Sequence, residues 1–183
     1  MTDLIREYLP TSPDDGLYVV PDIPEKKLRA AVRDYGEGVL PADVAALYDA
    51  TRLGSAKDGA LFLADRLVFQ NTNLQAPRTV RYADIVRVER NKKLFGGVAV
   101  EMDVNEGRAT VTHTLDFSGR PGAAEYVERF LDQAVLRAAG ATSSRDVDRT
   151  TDRAVVVASL NDLRAAGVLS DRDYRAMLRV VEA

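Results

Sequence analysis

Residues 47–71 read LYDATRLGSAKDGALFLADRLVFQN, and the fold turns on whether this stretch is a ligand-holding loop or part of a β-hairpin. Gly54, Ser55, Lys57 and Gly59 crowd together in the manner of a phosphate loop. A P-loop, however, needs Gly-x-x-x-x-Gly-Lys-Ser/Thr between a buried strand and a helix, so that backbone N–H groups point at the phosphates. Here Lys57 precedes the second glycine, and a β-rich run follows it. The stretch reads as a turn between strands, with Ala64-Asp65-Arg66 as a second tight turn inside it. Just upstream, 42–51 is ambiguous, because its alanines and leucine favour helix by propensity alone.

Downstream, the apolar period settles at two. In 97–104, Val98, Val100, Met102 and Val104 share one face, and in 109–117 Ala109, Val111, Leu115 and Phe117 alternate with Thr110, Thr112, Thr114 and Asp116. Asn105-Glu106-Gly107 joins these two strands, and 78–82 and 85–91 supply two more, bent at Ala83-Asp84. Turn signals every eight to twelve residues indicate an antiparallel unit.

Helical patterns flank the strands. Pro24 starts and Gly36 stops a helix over 24–35 carrying Leu28, Ala31, Val32 and Tyr35 on one stripe. Pro121 starts a second over 120–139, with Val127, Phe130, Leu131, Ala134 and Ala138 inward and Gly140 as its stop. The division expected is an N-terminal extension and linker over 1–22, a main domain over 23–140, a flexible polar linker over 141–152, and a two-helix hairpin over 153–183. In the hairpin Ser170 and Asp173 form a capping-box variant.

A chain of 183 residues with a formal net charge of −3 lacks the global basic field that nucleic-acid binding uses, so no nucleic-acid partner is expected. It contains no cysteine, which excludes disulfides and thiolate chemistry and suits the cytoplasm. The start has no basic region followed by an apolar core, and no apolar run is long enough to span a bilayer.

Two family resemblances follow from the motifs. The segment Asp49-x-Thr51, Gly54-Ser55-x-Lys57-Asp58-Gly59, followed by Tyr82-x-Asp84-Ile85, resembles bacterial pleckstrin-homology-like (PH/GRAM-like) domains. That resemblance implies an α+β fold in which 44–51 is a strand: a seven-stranded antiparallel barrel over 44–117, closed by the helix 120–139, with an added N-terminal helix and C-terminal hairpin. The tail, LNDLRAAGVLSDRDYRAML over 160–178, resembles the SHOCT helical hairpin through Leu160, Leu163, Gly167, Val168, Ser170, Asp173 and Tyr174. Such tails are associated with oligomerisation or attachment and imply no catalytic residues.

Two functional readings stay open. The first is a non-enzymatic interaction or scaffold module that self-associates or recruits a protein partner through Leu160, Leu163, Tyr174, Met177, Leu178 and Val181, an apolar face too large for a short hairpin to bury alone. The second is a peripheral binder of anionic membranes or inositol lipids. The first hairpin loop offers Arg52 and Lys57, with Asp49 and Asp58 opposing an anion, and the 90–97 turn offers Arg90, Lys92 and Lys93 around Leu94 and Phe95. His113 is the single histidine, on an apolar strand face without an evident acidic partner, and reads as a core residue. Asp146, Asp148 and Asp152 lack the glycine and terminal glutamate of a calcium loop. No catalytic residue, cofactor or metal site is expected.

Overall fold

The computed structural model describes residues 1–93, 96–165 and 169–182, with side chains described for these except 141–155, 162, 165, 171–172 and 179–182. The chain divides into two compact units, Met1–Ala138 and Ala139–Ala183.

The first unit is built on two antiparallel sheets. A five-stranded sheet runs in the order β1 (Leu17–Val19), β2 (Ala46–Asp49), β3 (Gly59–Phe62), β4 (Arg66–Gln70) and β5 (Arg78–Arg81). A three-stranded sheet follows as β6 (Ile85–Lys92), β7 (Val98–Glu106) and β8 (Ala109–Asp116). No strand ladder joins one sheet to the other among the described residues. The seven-stranded closed barrel is therefore corrected to two open sheets, the additional strand being β1 from the N-terminal extension.

Segment 46–49 is a strand although propensity favours helix, because pairing on both edges decides it. Leu47 lies opposite Tyr18 and Leu61, and Tyr48 opposite Leu17 and Ala60. Both faces are also covered. Ala46, Tyr48, Ala60, Phe62, Leu67 and Phe69 point into the main core, whereas Leu47, Leu61, Leu63 and Val68 form a second cluster with Ala31 and Tyr35 of helix α2 (Glu25–Tyr35).

The main core lies between the sheets and the first turns of helix α3 (Gly122–Ala165), which contributes Ala123, Val127, Phe130, Leu131 and Ala134. The Phe130 ring meets Phe62 and Tyr82 edge-on at 5.7 and 5.4 Å, the favourable geometry for aromatic pairs. The buried Tyr82 hydroxyl donates to the Leu63 carbonyl at 3.2 Å.

Two segments depart from their expected organisation. The N-terminal extension is integral: helix α1 (Thr2–Tyr8) and the residue after it bury Leu4, Ile5 and Leu9 in the main core. Arg120 also donates to the carbonyls of Pro13 and Asp14 at 3.1 and 2.6 Å. The segment 141–152, expected as an irregular linker, is helical within α3. Between Gly140 and Gly167 the chain contains neither glycine nor proline to stop the helix.

The second unit contains the end of α3 and helix α4 (Asp171–Glu182). Ser170 caps α4, its Oγ accepting from the Asp173 N–H at 3.2 Å and donating to the Asp173 carboxylate at 2.6 Å. The Tyr174 hydroxyl donates to Asn161 Oδ1 at 2.7 Å, and the Arg164 guanidinium lies 4.9 Å from the Tyr174 ring centre. These contacts knit the two helices locally.

Candidate functional site

The loop between β2 and β3 is organised around one buried carboxylate. Asp49, fully buried at the end of β2, accepts at Oδ1 from the Thr51 N–H at 2.9 Å, the Thr51 hydroxyl at 2.5 Å and the Ala56 N–H at 3.2 Å. Its Oδ2 accepts from Lys27 Nζ of α2 at 2.5 Å. Lys27 also donates to the Gly54 carbonyl at 2.6 Å and lies 5.3 Å from the Tyr18 ring centre. Burial by itself raises the Asp49 pKa, but the hydrogen bonds from Lys27 and Thr51 and the Lys27 charge outweigh it, so the carboxyl sits below its usual range.

The backbone of this loop needs special conformations. Ala56 adopts φ +54°, held there by its N–H bonds to Asp49 and to Thr51 Oγ1. Gly59 has φ +142°, and a Cβ there would overlap the Tyr48 carbonyl. The glycines serve the turn. Asp49, which the sequence suggested would repel a bound anion, is neutralised from inside the fold by Lys27.

The loop faces α2 across a groove of about 650 Å³. Lys57 and Leu53 line one wall, and Lys26, Arg29, Ala30 and Arg33 line the other. Helical spacing puts those four residues on one stripe. Leu53 is 97% exposed. Of the two loop cations expected to hold an anion, Lys57 belongs to this groove, and Arg52 is an exposed residue beside it in sequence.

The 90–97 turn is arranged differently. Arg90 pairs with Glu125 and Glu128 of α3 at 3.7 and 3.0 Å, and Lys93 pairs with Asp116 at 2.8 Å. Both cations are thus engaged within the first unit, whereas Lys92, also exposed, has no ion-pair partner among the described residues. Leu94 and Phe95 lie outside the described residues.

His113 has the acidic partner that its own strand does not supply. Its Nε2 lies 2.8 Å from Glu106 Oε1, and it borders a polar cavity of about 350 Å³ with Asn71, Gln75, Arg78, Thr112 and Thr114. Asn71 spans the space between the sheets, donating through Nδ2 to the Thr114 carbonyl at 2.7 Å and accepting at Oδ1 from the Asp116 N–H at 2.9 Å. One amide side chain here mimics a strand partner where no ladder forms.

In the hairpin, Leu163 and Met177 are 43% and 46% exposed, Tyr174 and Leu178 are half-buried, and Leu160 is buried. Val181 lies on α4, with its side chain outside those described.

No family model, curated protein or solved structure matches the chain. Among the described residues no helix is long and apolar enough to cross a membrane, and no group of three or more His, Cys, Asp or Glu side chains could hold a metal ion.

Proposed function

We propose that this chain is a non-enzymatic, cytoplasmic interaction module whose C-terminal helical hairpin drives self-association or recruits a protein partner. The observation that carries this reading is a locally knit hairpin that leaves Val156, Leu163 and Met177 43%, 43% and 46% exposed. Fully burying an exposed aliphatic side chain of this size is worth roughly 1.5–3 kcal/mol, so covering the remaining exposed part of each contributes roughly half of that, and three of them on one small unit favour association. The tail's resemblance to SHOCT hairpins supports the same role. Size-exclusion chromatography with light scattering, run beside affinity capture on full-length chain and on a deletion of 151–183, tests it. The deletion is expected to change the oligomeric state or the captured partners. If both stay as they are, the tail has no such role.

A further inference from the structure

We propose that the groove between α2 and the loop 50–58 binds an acidic, extended protein segment. The chain as a whole is acidic, with a net charge of −3, yet this groove is lined by Lys26, Lys27, Arg29, Arg33 and Lys57 against a single acidic lining residue, Glu25. Its cations come from two elements and face one another, which a solvated charge run on a single helix does not achieve.

The five cations have different parts. Lys27 is spent inside the fold on Asp49 and the Gly54 carbonyl, where it holds the loop wall in place. Lys26 and Lys57 are exposed and have no ion-pair partner among the described residues. Arg29 pairs with Glu25, and Arg33 with the adjacent Asp34, with the two guanidinium groups 71% and 69% exposed. Such exposed pairs are weak and screened by water, so an incoming carboxylate can replace them.

The spacing favours a chain over a point anion. Lys26 and Arg33 are seven residues apart on α2, a rise of roughly 10 Å at about 1.5 Å per residue. An extended segment covers that length with about three residues, and its alternate side chains, roughly 6.6 Å apart, face the same side. Two carboxylates so placed match the roughly 6 Å rise between Arg29 and Arg33, and a third reaches on toward Lys26, whereas one phosphate group meets only part of the stripe. The loop wall is fixed before binding by the Asp49, Thr51 and Lys27 hydrogen bonds, which limits the ordering cost of association. Leu53, almost fully exposed at the rim, offers an aliphatic contact between the acidic positions.

The test is fluorescence anisotropy with the full chain at low ionic strength and a labelled peptide of alternating glutamate and leucine, beside the same peptide with glutamine for glutamate. Saturable binding of the glutamate peptide alone is expected, weakened at least about tenfold by Lys26→Glu with Lys57→Glu and unchanged by Lys92→Glu, since loss of complementary charge acts only where the charges meet. Circular dichroism checks that the double variant is folded. If it is not, Lys57→Gln, at an exposed side chain, takes its place, with weakening expected and an unchanged affinity counting against the site. Absence of binding by the wild type, or equal weakening by Lys92→Glu, overturns the proposal. Flotation with phosphatidylserine vesicles while the peptide stays unbound also overturns it, in favour of a lipid surface. The chain lacking 151–183 should bind the peptide unchanged, so a failure here and a failure of the hairpin's role are separately visible.

Discussion

At the scale of single residues, the most informative side chain is Asp49, because its charge is buried and satisfied entirely by protein groups. Its carboxyl has a lower pKa in the folded chain than in the unfolded one. A group depressed on folding contributes stability that is fully present above its unfolded pKa, about 4 for aspartate, and is lost as pH falls through the folded value. Asp49→Asn leaves Lys27 without its counter-charge and is expected to cost about 3 kcal/mol at neutral pH, the scale for breaking one side of a buried pair. The gap between variant and wild type should narrow below about pH 4, where the carboxyl of the unfolded wild-type chain begins to protonate while the folded one is still charged. Urea denaturation at neutral pH and at pH about 3 checks both parts. An equal gap at the two pH values would show that Asp49 acts through shape and not through charge. The Lys27 contact was hidden from the sequence because its partners are 22 residues apart. Asp49 itself was visible in the sequence, but as a charge opposing an anion and not as the residue that organises the loop.

At the scale of elements, the apolar pattern and turn signals made the strands from residue 59 onward legible, and Ala46–Asp49 was the ambiguous one. β7 and β8 announce themselves by alternation, and their observed pairing, Met102 opposite His113 and Val104 opposite Val111, keeps the expected faces together. β2 and β3 are buried on both faces, so their sequences are continuous apolar runs, and for Ala46–Asp49 propensity pointed the wrong way. In the N-terminal extension, strand β1 and the docking of α1 were hidden for another reason. α1 has seven residues and β1 three, lengths at which neither helix nor strand is stable alone, so their structure comes from what they touch. Ile5 is fully buried in the main core. Ile5→Ala should therefore lower the unfolding free energy by about 3 kcal/mol, within the range for aliphatic truncation in a packed core. A loss below about 1 kcal/mol in chemical denaturation would mean that the extension packs on the unit without stabilising it.

At the scale of the whole molecule, the two units differ in how they are held together. Every buried residue of the two hydrophobic clusters lies between Leu4 and Ala134, so the first unit carries a core of its own. Helix α3 crosses the boundary between the units, but its residues in those clusters all precede Ala138. The groove follows the same division. Its α2 stripe was readable as helical spacing and Lys57 as a loop cation, yet their meeting depends on the pairing of β2 with β3 and on the burial of Tyr35 against Leu61, which no local pattern encodes. If stability resides where the core does, deleting 151–183 should leave the thermal midpoint of the main transition within about 2 °C, because no described residue of that segment belongs to either hydrophobic cluster. Differential scanning calorimetry on the full chain and the deletion makes the comparison, at low protein concentration so that association does not add its own stabilisation. A fall of more than about 5 °C would mean that the second unit stabilises the first, and the tail would then be a structural part of one folding unit before it is a docking device.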